Sequence, residues 1–268
     1  MSLFPTLKTR SLSAIVYGVV VLGAILGGQW PLFIFLSLAA VLLHQEFSRL
    51  ILHDQTVKLP WLDNVLAVMP FFLALWWPQF DITWLVVLPL VVFSGFVLSQ
   101  PAAGMMRLLI WSSTQFYLLL PLWLAKVINT ADQTYQPYPL LAVILWIWIN
   151  DSGAYFIGSA WGKHKMYPAV SPGKSWEGTL GGLVIAGLSG FWLGPLWLEL
   201  NGWQGVLLAV AVGVAATVGD LFESMLKRTA GVKDSGTIMP GHGGLLDRLD
   251  SFLFAVPAYY LVMEMISR

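Results

Sequence analysis

Residues 224–250 read SMLKRTAGVKDSGTIMPGHGGLLDRLD. Lys227, Arg228, Lys233, His242 and Arg248 stand there with Asp234, Asp247 and Asp250, in a chain of which only 10% is charged. A polar block of this density is costly to hold against an apolar background. Acid, base and glycine together are what a metal–phosphate site requires. Asp binds hard cations, Lys and Arg neutralise phosphate, and Gly lets backbone N–H groups approach an anion. Just upstream, Asp220 ends the apolar run GVLLAVAVGVAATVG. If that helix continues, Asp220, Glu223, Ser224 and Lys227 share one face. An acid at the inner end of a membrane span is a functional hypothesis. An interfacial carboxylate paired with Lys227 or Arg228 is the equal alternative.

Asp247, Arg248 and Asp250 close the block before another apolar run. Asp220 and Asp247 come from the ends of different spans on one membrane side. Two such carboxylates can converge on one Mg²⁺, an ion held by one or two carboxylates plus substrate phosphates. Asp250 suits a helix cap or a supporting role, and Asp247 suits a ligand. Pro240-Gly241-His242-Gly243-Gly244 cannot be regular helix, and its glycines can open backbone donors to an anion. A plain turn is the alternative. His242 could touch phosphate or move a proton, although a structural hydrogen bond is the better reading.

A second polar stretch runs from Asn150-Asp151-Ser152-Gly153-Ala154-Tyr155 through Lys163 and Lys165 to Ser171-Pro172-Gly173-Lys174-Ser175-Trp176-Glu177-Gly178. Gly173-Lys174-Ser175 ends like a P-loop, but Pro168 stands where the first Gly belongs and no strand is expected before it, so a Walker site is rejected. Lys174, at the start of a helix, can still bind phosphate. Lys163 and Lys165 read as ordinary topology charges. Asp151 is a further acid at an inner membrane edge, and Glu46 reads as an interfacial glutamate.

The elements that must position these residues are membrane helices. The 268 residues are 57% hydrophobic, with 14 Trp and 15 Phe, and the mean hydropathy is +0.75. A soluble domain cannot hide that much apolar surface. Zero net charge gives no field for nucleic acid. The absence of Cys excludes disulfides and thiolate metal sites, and the four His show no zinc spacing. The expected fold is an all-α polytopic membrane protein of about nine spans: 12–28, 30–48, 61–77, 82–98, 108–128, 138–157, 180–199, 204–222 and 251–266. The first is read as a retained span and not a cleaved signal. With the N-terminus cytoplasmic and the C-terminus outside, 12 of the 14 Lys and Arg face inward, and only Lys126 and Arg268 do not. Residues 1–137 are expected to form an N-terminal region of about five spans. Residues 138–268 are expected to form a catalytic region of about four spans, whose two polar segments face the cytoplasm.

Ser224-x-Leu226-Lys227-Arg228, then Lys233-Asp234-x-Gly236, then Pro240-x-His242-Gly243-Gly244-x-x-Asp247-Arg248-x-Asp250 resembles the signature of the phosphatidate cytidylyltransferases, or CDP-diacylglycerol synthases. Asp151–Tyr155 and Ser171–Gly178 resemble the upstream motifs of that family. Met239 departs from the Ile or Leu more usual before Pro240. The resemblance implies a bacterial inner-membrane enzyme, dimeric and Mg²⁺-dependent, that joins CTP to phosphatidate and releases pyrophosphate. It also implies K⁺ beside Mg²⁺, with Asp220 and Asp247 as metal-binding acids. On this reading Lys227, Arg228 and Lys233 neutralise phosphates, and the Gly241–Gly244 turn cradles one. Ser171 and Lys174 help to bind CTP or the lipid headgroup. Ser224, Asp234, His242 and Arg248 complete the substrate-binding set, and no nucleic acid is involved.

Three rival classes make different demands. A transporter needs polar residues near span centres, whereas these cluster on one side. A CTP-dependent lipid kinase would release CDP. The CDP-alcohol phosphotransferase pattern D-G-x2-A-R…G-x3-D-x3-D is missing from the chain.

Overall fold

The computed structural model describes residues 3–52, 61–77, 87, 91, 94, 101–130, 134–239 and 243–268. Helices α1 (Leu3–Leu26), α2 (Gln29–Ile51) and α3 (Trp61–Trp76) come first. Then follow α4 (Pro101–Ser113), a π-helical turn at Thr114–Leu119, and α5 (Leu120–Asn129). Helix α6 (Tyr138–Trp161) leads to strands β1 (Lys165–Tyr167) and β2 (Ser171–Ser175). Helices α7 (Trp176–Trp197), α8 (Gly202–Thr229) and α9 (Leu246–Ile266) complete the chain.

Among the described residues, six helices are long and apolar enough to cross a membrane: 29–51, 105–129, 138–161, 176–197, 202–229 and 246–266. Ser13–Leu26 and Trp61–Trp76 are shorter apolar helices. The chain is a helical multi-pass membrane protein. The expected span 82–98 lies outside the described residues, apart from three isolated positions.

The all-helical expectation needs one correction. Residues 165–175 form an antiparallel hairpin, with Lys165 opposite Ser175 and Tyr167 opposite Ser171. Pro168 and Pro172 forbid a continuous helix there, and the stretch lacks the apolar run that would bury one.

The chain forms two compact units, Met1–Lys126 with Asp234–Asp247, and Val127–Lys233 with Arg248–Arg268. In the second unit, α7 and α8 meet through small residues. A Cβ on Gly194 would lie 2.8 Å from Gly205 Cα. Such closeness is the ordinary basis of helix association in lipid, where burial of apolar groups gives no net drive. Asn201 starts α8 with a capping box: its side chain accepts from Gln204 N, and the Gln204 side chain accepts from Asn201 N, both at 2.9 Å. Ser175 caps α7 by accepting from Gly178 N at 3.2 Å. The hairpin is tied to the same helix start. Trp176 N donates to His164 O, and Glu177 accepts from His164 N. His164 Nδ1 also meets Glu177 Oε1 at 2.5 Å.

In the first unit, several polar side chains inside the helices find partners on neighbouring helices. Buried His44 bridges Thr114 and Asn64, and Arg107 lies 3.3 Å from buried Asp63. Lys126, which the charge rule left outside, donates to Ala74 O and Leu75 O at the end of α3, both at 2.9 Å. The long alkyl stem of Lys lets its ammonium reach the carbonyls that the helix end leaves unpaired.

Candidate active site

Three helices and the hairpin of the second unit line a cavity of about 640 Å³. Helix α6 contributes Asn150, Asp151 and Tyr155; the hairpin contributes Lys165, Ser171 and Lys174; α7 contributes Thr179; and α8 contributes Thr217 and Asp220. The volume suits a small-molecule or headgroup site. Lys174 Nζ lies 2.7 Å from Asp220 Oδ2 and also donates to Thr217 O at 3.3 Å. The partner of Asp220 is therefore this hairpin lysine and not Lys227 or Arg228. Ser224 Oγ donates to the other oxygen, Asp220 Oδ1, at 3.3 Å.

Lys227 is engaged by Glu223 one turn before it on α8, 2.5 Å from Glu223 Oε2, and the Glu223 side chain is fully buried. Arg228 is exposed, and its Nη1 donates to Val232 O at 3.2 Å. Gly219 explains how α8 brings its acid close to α9: a Cβ there would stand 2.6 Å from Asp250 O. Asp250 is the fifth residue of α9, so it does not cap that helix as its sequence position suggested. It lies within electrostatic range of Asp151, Asp220 and Lys227. Asp151 in turn feels Lys174 and Asp220. Two lysine ammoniums thus face four carboxylates, those of Asp151, Asp220, Glu223 and Asp250.

These carboxylates are hard oxygen donors of the kind Mg²⁺ takes. Among the described residues, no three Asp, Glu or His side chains form a closed metal cage. The arrangement fits an ion held by one or two carboxylates and completed by substrate phosphates.

Asp247 belongs to the first unit. Its Oδ2 accepts from Gly244 N at 2.7 Å and from both N and Oγ of Ser235 at 2.9 Å. Nothing in the spacing of the motif pointed to this local fastening. Gly243 turns with φ 83°, a conformation that favours glycine. Lys233, Asp234 and Arg248 are exposed. Gly241 and His242 lie outside the described residues.

The profile of the Cytidylyltransferase family matches residues 8–266, nearly the whole chain. The chain belongs to this family. A phosphatidate cytidylyltransferase of Bacillus subtilis is 32% identical over 269 residues, covering 97% of this chain and 99% of its own length. One from Staphylococcus haemolyticus is 30% identical over 262 residues, covering 96% and 99%. One from Haemophilus influenzae is 47% identical over 135 residues, which is 47% of each chain.

In this cytidylyltransferase family member, the cavity joins Ser171, Lys174 and Asp220 from the expected set. It also holds residues that the sequence left without a role. Lys165, read as a topology charge, lines the cavity. Asp151 was noticed as an acid at a membrane edge, but its neighbours come from three other elements. Asn150 and Thr217 are buried in apolar helices, where nothing in the one-dimensional pattern marks them. Glu46 has partners that the sequence did not foresee. It is 3% exposed and accepts from Leu245 N at 2.9 Å and Leu246 N at 2.8 Å, so protein and not solvent surrounds its carboxylate.

Proposed function

We propose that the chain is a phosphatidate cytidylyltransferase, converting CTP and phosphatidate to CDP-diacylglycerol and pyrophosphate. The observation that carries this reading is the cavity beneath the 165–175 hairpin. There a family member brings Lys165, Lys174 and Ser171 against Asp151 and Asp220. An ammonium pair beside carboxylates can hold phosphates and a divalent cation together.

In the proposed step, a phosphate oxygen of phosphatidate attacks the α-phosphorus of CTP. The new P–O bond forms as the bond from the α-phosphorus to the bridging oxygen breaks, and that electron pair leaves with pyrophosphate. The nucleophile is already an anion, so little proton transfer is needed. The difficulty is bringing several anions together, which makes positioning and neutralisation the main contributions. Lys174 and Lys165 hold phosphate oxygens, and the Ser171 hydroxyl orients one of them. Lys227, held by Glu223, keeps positive charge about two turns along α8 from Asp220. Mg²⁺ bound here would supply Lewis-acid stabilisation of the developing charge. Asp220 is proposed as a ligand of that ion. Asp247 is proposed separately as a metal-binding acid, on the family resemblance of its motif, and each is tested by its own variant. Lys233, Asp234, Arg248, Gly241 and His242 keep proposed substrate-binding roles.

Exposed aromatics on α6 and at the α7 start, Tyr155, Phe156, Trp161 and Trp176, suit a lipid boundary beside the cavity. The proposal places the acyl chains there and the headgroup within. It also includes about nine spans, an N-inside and C-outside orientation, a cytoplasm-facing site in a bacterial inner membrane, a homodimer, and K⁺ as a second cation.

The test is purified protein with phosphatidate, Mg²⁺ and CTP labelled on the cytidine. Lipid-linked CMP with stoichiometric pyrophosphate is expected. Release of CDP would instead identify a CTP-dependent lipid kinase, and solute flux without nucleotide turnover would identify a transporter.

A further inference from the structure

Glu46 sits within α2, far in sequence from any motif, with its side chain almost wholly enclosed. A carboxylate in such a place is unfavourable unless donors surround it. Its donors come from a loop about 200 residues away in the same compact unit. Leu245 N donates to Oε1 at 2.9 Å and Leu246 N to Oε2 at 2.8 Å. Leu246 is the first residue of α9. Glu46 therefore satisfies amides that the helix start leaves without intrahelical partners, at the end of the helix dipole that favours negative charge.

Two glycines close on this carboxylate. A Cβ on Gly236 would stand 2.6 Å from Glu46 Oε1, and one on Gly244 would stand 2.5 Å from Oε2. Neither glycine has a positive φ, so space and not backbone conformation demands glycine at these positions. Gly244 was expected to help cradle a phosphate. Its N–H donates to Asp247 Oδ2, and Glu46 is the carboxylate packed against its Cα.

Ser235 links this carboxylate to Asp247. Its hydroxyl is 2.9 Å from Asp247 Oδ2 and 3.4 Å from Glu46 Oε2. One hydroxyl proton cannot serve both, and the shorter contact assigns it to Asp247. Asp247 is further held by Ser235 N and Gly244 N. Its position thus depends on the two ends of the loop, 235–236 and 244–246, which Glu46 clasps together.

We infer that Glu46 is a positioning residue for the reaction: its carboxylate clasps the 235–246 loop and thereby sets Asp247. The inference rests on the proposed activity and on the metal-binding role proposed for Asp247. It assigns Glu46 no contact with substrate.

The decisive variant is Glu46→Gln in the full chain. The amide keeps the size of the side chain, but its NH₂ must face either Leu245 N or Leu246 N, a donor against a donor. Losing a charge-assisted bond and leaving an amide unpaired should cost roughly 10–100-fold in kcat. Hydrogen exchange should speed up at the amides of 235, 244, 245 and 246, while α7 and α8 stay protected. The Mg²⁺ concentration for half-maximal rate should rise about tenfold, as one misplaced ligand oxygen implies. Loss of packing alone would leave that constant unchanged.

Ser235→Ala is the companion variant. It removes only the hydroxyl, so the chain should fold, with a smaller shift in the same three readouts. If Glu46→Gln does not fold, Ser235→Ala alone decides. Unchanged Mg²⁺ dependence in the folded variants, or faster exchange with normal turnover, overturns the inference. A wild-type protein that makes no CDP-lipid refutes the activity reading and with it the positioning role, while the exchange data still report whether the clasp exists.

Discussion

Replacing Lys174 by Met removes an ammonium that lines the cavity and keeps roughly the length of the side chain. Lys174 Nζ lies 2.7 Å from Asp220 Oδ2, and the two side chains are 22% and 35% exposed. A pair open to solvent on that scale stabilises a fold by at most about 1 kcal/mol, so the variant should express and melt nearly as the parent does. Its effect on the reaction should be far larger. A preorganised group facing charge that develops in the transition state is worth about 3–4 kcal/mol, or on the order of 10²–10³ in rate. Lys174→Met should therefore lose about 10²-fold or more in kcat/KM for CTP, measured as labelled CDP-lipid in mixed micelles. Lys174→Arg keeps the charge but carries it on a broad planar fork, so it should recover only part of the loss. A decline under threefold in Lys174→Met, at unchanged melting temperature, would show that this ion pair is structural and that the cavity is not where phosphates are held.

Asp220→Asn and Asp247→Asn should each reduce turnover by about 10³-fold if each carboxylate binds the metal, with the protein still folded; near-normal rates in either one would remove that residue from the metal assignment. Lys165→Ala should impair turnover more than Lys163→Ala, because Lys165 lines the cavity; equal small losses would return Lys165 to a topology role. Reporter fusions at residues 165 and 235 should read cytoplasmic and one at 268 external, and a cytoplasmic C-terminus would rule out an odd span count.

Helix existence was legible because an 18-residue apolar run has few alternatives in lipid. Tyr138–Trp161 and Gly202–Thr229 were foreseen within a few residues at their starts. Their other ends run further than expected, to Trp161 and Thr229, so that Lys227 as well as Asp151 and Asp220 stands on regular helix. Hydropathy marks where lipid ends, and helix hydrogen bonding does not stop there. The hairpin was missed because this stretch was read for a failed P-loop and for a helix beginning at Lys174, whereas Ser171–Ser175 is a strand. For the site, residue types within 224–250 pointed to phosphate chemistry, yet pairings could not be read from spacing. Asp220 lay near Lys227 on a helix face, but Lys174 Nζ reached it from a hairpin 43–46 residues earlier in the chain. Glu46 carries no local signature, since every donor to it lies at the far end of the chain.

That separation has a consequence for synthesis. Glu46 leaves the ribosome 199 residues before Leu245, its first backbone partner. At a synthesis rate of roughly 5–20 residues per second, the interval is roughly 10–40 s. Helix α2 must enter the membrane during that time with its carboxylate lacking these donors, where an unpaired charge is strongly disfavoured. The N-terminal helices therefore cannot reach their final arrangement as they emerge. The glutamate must rest at the lipid–water boundary, or against the insertion machinery, until the loop arrives. Nascent chains arrested before residue 245 should then be the form of this protein most exposed to membrane quality-control proteases.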